Sequence, residues 1–338
     1  MLQTKAVIGA AAVLAITAAA APAQENVTFG TNWLPQAEHG GYYQAVADGT
    51  YAACGLDVEI RPGGPQVNNR ALLLAGRLDF YMGGNLLLAF SAVEQDIPLQ
   101  VVAANFQKEP QIIMTHPGEG FDAWDDLPKL EKIFISDEGF HSFYQWMIDE
   151  LGFTEEQRAP YTFNSGPFLA DKKSGQQGYL TSEPFAIEKE GGFTPNVFLL
   201  ADYGFDTYAT TIETMQETID QRPEVVKCFV DGSAIGWTSY LYGDPSAANA
   251  LIQAANPDMT DEQIAYSIEK LKEYGIVDSG EALTDGIGAM RPERFESFYR
   301  KMVNAGAVKD GLDVIKAYTL DFVNNGAGLD VKKKLTGG

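Results

Sequence analysis

A chain of 338 residues with 45% apolar content can form one large domain or two lobes with separate cores, and it is neither disordered nor fibrous. Its 46 acidic and 24 basic residues give a net charge of −22, which excludes the basic footprint of a nucleic-acid binder and avid attachment to anionic membranes. Such a field attracts cations and repels anions at long range, while local groups decide what a pocket holds.

The chain opens with Lys5, an apolar run Ala6–Ala21 and the small residues Ala21-Pro22-Ala23. That is the order of a secretory signal peptide, so residues 1–23 are expected to be removed after export, with the mature chain starting at Gln24. A lone membrane anchor is the alternative, but Thr17 interrupts the run and no stop-transfer charges follow. The body then alternates. A strand is predicted at Val27–Thr31 and a helix over Tyr42–Ala53. After Gly55, Leu56–Ile60 alternates with period two, as a strand does. A helix follows at Val67–Ala75, a strand at Asp79–Met82, a turn or cap at Gly83-Gly84-Asn85 leading into a helix at Leu86–Val93, and a buried strand at Leu99–Ala104.

The middle repeats the rhythm. Strands are predicted at Ile112–Thr115, Ile133–Ile135, Gly178–Leu180, Val197–Leu200 and Ala209–Ile212, with helices over His141–Leu151 and from Ser182 to Glu190. Beyond Glu213 the pattern is helical: Glu213–Asp220, Pro223–Tyr242, Pro245–Ala255, Asp261–Tyr274 and Pro292–Ala305. Three of these begin at a proline, and Thr260 with Gln263 has the form of a capping box. Asp330–Lys334 reads as a solvated end. The whole is an α/β pattern, with a mostly parallel sheet covered by helices.

Chemistry-bearing motifs are sparse. Cys54 and Cys228 read first as buried free thiols; export permits a disulfide, but sequence does not place their Cα atoms. These cysteines and the scattered His39, His116 and His141 do not have metal-site spacing. Gly40-Gly41 and Gly83-Gly84 are not phosphate-binding loops, and no nucleophile elbow or HExxH is present. No catalytic residue, metal or cofactor is assigned.

The segment Asn32-Trp33-Leu34-Pro35-Gln36-Ala37-Glu38-His39-Gly40-Gly41-Tyr42-Tyr43-Gln44-Ala45 resembles the start of the NMT1/THI5-like (SsuA/THI5-like) periplasmic solute-binding proteins. Gly49–Ile60, Ala75–Phe80 and Gly178-Tyr179-Leu180-Thr181-Ser182-Glu183-Pro184 are similar to later elements of that family. The resemblance implies a type II periplasmic-binding-protein fold, with a ligand cleft between two α/β lobes. Lobe 1 would take residues 24–108 and 207–338, and lobe 2 residues 109–206. It implies a monomeric periplasmic receptor that docks on an ABC permease of the inner membrane. The family also includes pyrimidine-precursor synthesis enzymes, but their cysteine-rich segment and iron requirement have no counterpart here, so an enzyme is the lesser reading.

On this resemblance the cleft residues are Trp33, His39, Tyr42, Asn85, Asn105, Asp137, Tyr179 and Glu183. Trp33 and Tyr42 could stack on a planar ligand, with core packing as the alternative. His39 could bond a ligand or tie down its own loop. Asn85 and Asn105 could bond a ligand or cap a helix. The two carboxylates of Ser136-Asp137-Glu138-Gly139 oppose an anion at that turn. Glu183 could accept N–H donors or serve the first turn of its helix. Tyr179 and Phe185 would wall the cleft, and Tyr203 and Tyr208 are weaker candidates. The expected solute is a small planar nitrogen heterocycle: a thiamine-related aminopyrimidine first, riboflavin-like compounds second, sulfonate or nitrate third.

Overall fold

In the computed structural model, residues 24–64, 67–162 and 164–337 are described; the expected export signal lies outside them. The described strands are β1 (Glu25–Gly30), β2 (Leu56–Arg61), β3 (Phe80–Asn85), β4 (Leu99–Phe106), β5 (Gln111–Thr115), β6 (Lys132–Ile135), β7 (Arg158–Pro160), β8 (Ser174–Tyr179), β9 (Asn196–Leu199) and β10 (Ala209–Met215). They form two five-stranded sheets, ordered β2-β1-β3-β10-β4 and β7-β6-β8-β5-β9. The fold is α/β with two sheet-containing lobes. Each sheet is mixed, where a mostly parallel one was expected. β10 lies antiparallel between β3 and β4, and β5 antiparallel between β8 and β9. The chain crosses to the second sheet after β4 and returns through β10, so the returning strand enters its sheet against the direction of its neighbours.

The helical half buttresses the first sheet. Helix Pro223–Tyr242 starts on its proline and lays an aromatic face on the core, with Phe229 stacked 4.2 Å from the Phe80 ring and Trp237 edge-on to Phe106 at 5.4 Å. Helix Gly40–Ala47 crosses it closely. A Cβ at Gly40 would lie 2.0 Å from the Tyr240 ring, and one at Gly41 2.2 Å from Trp237. The glycine pair therefore allows this crossing, which fixes the turn just before it. The helix predicted over Tyr42–Ala53 breaks at Gly49, which takes φ +76°.

Other expectations are corrected. Cys54 and Cys228 are disulfide-bonded, with Cα atoms 6.0 Å apart. The long helix brings Cys228 beside the end of helix Thr50–Ala53. Gly83, Gly84 and Asn85 do not turn but complete β3, with Asn85 as the cap of the helix that follows, and Thr211 and Glu213 of β10 occupy the space a side chain at Gly83 would need. Glu213 belongs to β10 and not to a helix. It is fully buried 4.0 Å from Arg70, and burial pushes its carboxyl up to about 7. The C-terminal segment keeps the solvated character expected of it, with no buried residue, but is a helix, Leu329–Thr336, packed on Pro223–Tyr242 and tied by Lys332 to Asp278 at 2.6 Å.

Candidate ligand cleft

A cavity of about 240 Å³ lies between the two sheets, lined from both. The first wall is the loop after β1. Thr31 Oγ1 donates to the Trp33 carbonyl at 2.9 Å and accepts the Gly63 N–H at 3.0 Å, and Asn256 Nδ2 donates to the Pro35 carbonyl at 2.8 Å. These bonds hold half-buried Trp33 at the cavity edge and lead into the turn Ala37–His39.

Glu38 and His39 on that turn are both buried and both line the cavity. Glu38 accepts the Thr181 hydroxyl from the opposite lobe. Thr181 is itself set by Gln263 Nε2 and Ser267 Oγ, each 2.8 Å from its carbonyl oxygen. Burial pushes the Glu38 carboxyl up to about 6, and the negative charge of Glu183 adds to the rise. His39 Nδ1 accepts the Gln36 N–H at 3.2 Å, so the ring does tie its loop; its Nε2 has no hydrogen-bond partner among the described residues.

The opposite wall is the end of β8 and the loop after it. Glu183 lines the cavity as the first residue of helix Glu183–Gly191. Its Oε2 accepts the Tyr179 N–H at 2.7 Å and its Oε1 the Tyr161 hydroxyl at 3.2 Å. Burial raises its carboxyl above the usual range. The carboxylate thus holds its own loop and keeps further lone pairs for a donor. Tyr179 also lines the cavity. Gln177 Oε1 accepts the Ser136 N–H at 2.7 Å, which leaves its NH₂ for a ligand. Asn85 is the helix cap expected as one of its two roles, its Oδ1 accepting the Leu87 N–H at 3.1 Å, and the residue also lines the cavity.

Three predicted residues lie elsewhere. Tyr42 and Asn105 are wholly buried and bonded to each other, Asn105 Nδ2 donating to the Tyr42 hydroxyl at 2.8 Å; neither lines the cavity. Asp137 does not line it either. Its side chain is 92% exposed and ion-paired to Arg158. Asp137 therefore does not oppose an anion in the cavity. Phe185 packs on Tyr266, Tyr203 stacks on Trp124, and the Tyr208 hydroxyl accepts the Arg291 N–H at 2.9 Å, all away from the cavity.

Sequence reasoning missed Glu38 and Glu109. Glu109 is buried at the first crossover and lines the cavity with Glu38 and Glu183. Among the described residues lining it there is no lysine or arginine. The site is therefore a negative, amide-rich pocket with aromatic walls from Trp33, Phe143, Tyr179 and Phe205. It suits a solute that supplies N–H donors or positive charge.

Comparison with known proteins agrees with this architecture. The sequence profile described as "NMT1/THI5 like" matches residues 36–248. The riboflavin-binding protein RibY of Chloroflexus aurantiacus is 25% identical over 91% of this chain and 89% of its own. Two solved structures share the fold. The alkanesulfonate-binding protein SsuA of Xanthomonas axonopodis pv. citri, bound to MOPS, has a TM-score of 0.62 at 11% identity, covering 89% of this chain and 100% of its own. The aliphatic sulphonate binding protein SsuA of Escherichia coli has a TM-score of 0.61 at 13% identity, covering 88% and 92%. With its two α/β lobes, its cleft and a profile match over most of its length, the chain belongs to the NMT1/THI5-like family.

Proposed function

We propose that the protein is an extracytoplasmic receptor that carries a small, planar, nitrogen-rich solute to an ABC permease, and that a thiamine-related aminopyrimidine fits it best. The observation that carries this reading is the cleft's charge: Glu38, Glu109 and Glu183 face it, and no described lining residue is cationic. A carboxylate accepts N–H donors through charge-assisted bonds, and here it does so in a setting shielded from water. A sulfonate or nitrate would meet these same charges and find no guanidinium or ammonium to balance it. Size points the same way, since about 240 Å³ is below the roughly 300–1,000 Å³ of pockets for drug-sized ligands. A single substituted ring fits that volume better than a flavin.

The riboflavin reading stays second, supported by the similarity to RibY over most of both chains. Calorimetric titration at neutral pH with 4-amino-5-hydroxymethyl-2-methylpyrimidine, riboflavin and an alkanesulfonate tests the order. The aminopyrimidine should bind most tightly and the sulfonate not at all. Saturable sulfonate binding would overturn the charge argument, and tight riboflavin binding alone would promote the second reading.

A further inference from the structure

His39 closes the turn Ala37–His39, and none of its ring is exposed. The Gly40-Gly41 crossing and the Asn256 bond to Pro35 fix the backbone on either side of the turn. Nδ1 accepts the Gln36 N–H, and a ring nitrogen that accepts carries no proton. Burial lowers the imidazole to about 3, so the ring is neutral and its single proton sits on Nε2. That Nε2–H has no acceptor among the described residues, yet the residue lines the cleft. A buried donor left unpaired is destabilising, and few native groups stay so without a function.

We propose that His39 Nε2–H is a dedicated hydrogen-bond donor of the cleft, and that the solute offers it an unprotonated acceptor, a ring nitrogen or a carbonyl oxygen, beside the N–H groups taken by the acids. This rests on the receptor reading and narrows it. The solute must carry donor and acceptor edges together, as amino-azines and cyclic amides do. A plain alkylammonium or quaternary amine, cationic but without an acceptor, is excluded even though the acids alone would welcome it.

Two variants separate the roles of the ring nitrogens. His39→Asn keeps an acceptor near the Nδ1 position for the Gln36 N–H but reaches no further. His39→Gln places an amide NH₂ near the Nε2 position. The probes are 4-amino-2-methylpyrimidine, riboflavin and 3-methylaniline, the last being the first probe's ring with both nitrogens replaced by carbon. His39→Asn should weaken whichever of the first two probes binds by about tenfold or more, the value of one lost hydrogen bond. His39→Gln should recover most of that loss, and 3-methylaniline should respond to neither variant. In the ligand-free protein, long-range ¹H–¹⁵N correlation should show His39 as the Nε2–H tautomer, and its signal should move when the probe binds. An Nδ1–H tautomer, or wild-type probe affinity in a folded His39→Asn protein, overturns the role of His39 while leaving the receptor reading intact. If neither acceptor-bearing probe binds the wild type, the ligand class and this proposal fall together.

Discussion

Glu38→Gln should make the ligand-free protein more stable and a poorer receptor at once. Glu38 is 4% exposed, and its carboxyl is raised from 4.5 to about 6, chiefly by burial. The folded protein therefore holds this proton more tightly than the unfolded chain. The favourable contribution is complete below 4.5 and is lost as pH rises through about 6. At about 1.4 kcal/mol per pH unit, the ionised group costs the fold about 2 kcal/mol at pH 8. Glutamine has the same shape, carries no charge and can still accept the Thr181 hydroxyl. The variant should thus gain up to about 2 kcal/mol at pH 8, several degrees in melting temperature at roughly 2–4 °C per kcal/mol for large domains. The gain should vanish by pH 4.5. Affinity should move the other way, because the amide turns an acceptor into a donor. An aminopyrimidine that donates to Glu38 would lose about 1.5–3 kcal/mol, tenfold to over a hundredfold. Thermal melts at pH 4.5 and 8 with calorimetry at pH 8 read both effects. A variant less stable than wild type at pH 8, or a gain independent of pH, would show that the buried Glu38 charge does not destabilise the fold.

Glu183→Gln should cost the aminopyrimidine about 1.5–3 kcal/mol in calorimetry with the fold intact; wild-type affinity would assign Glu183 to its loop bonds with Tyr179 and Tyr161 alone. Replacing Cys54 and Cys228 together by serine removes a cross-link over 174 residues and should lower stability by about 2–4 kcal/mol in denaturant titration, leaving solute affinity unchanged. Gly83→Ala places a Cβ 2.1 Å from Glu213 Oε1 and 2.4 Å from Thr211 Oγ1, and should destabilise by about 1–3 kcal/mol in the same assay. Solute binding should draw the lobes together, so small-angle scattering at saturation should give a smaller radius of gyration; an unchanged radius would count against a closing cleft.

Elements with strong local signals were legible. Helix Pro223–Tyr242 runs between the residues predicted, because Pro223 starts it and Gly243 follows its last turn. The failures came from contacts between residues far apart in sequence. Tyr42 and Asn105 each look like cleft residues alone, but Asn105 Nδ2 donates to the Tyr42 hydroxyl across 63 residues and holds both in the core. Asp137 and Glu183 are both first-turn acids after a strand. One is drawn outward by Arg158 of β7, an element without an alternating signal, and the other is turned inward by the Tyr179 N–H and the Tyr161 hydroxyl. Glu38 was passed over because nothing in its local pattern marks it as buried. The Gly40-Gly41 pair beside it was the available signal: two residues without side chains imply a close crossing, and a close crossing buries what precedes it.

The proposed receptor selects a neutral or cationic nitrogen heterocycle through its acid-walled cleft. Native mass spectrometry of gently purified mature protein, run beside Glu38→Gln and Glu183→Gln, tests it most directly. A one-to-one adduct of a small nitrogen-rich compound is expected on the wild type, reduced or absent in both variants. An adduct identified as a sulfonate or another anion, retained equally by all three proteins, would contradict it.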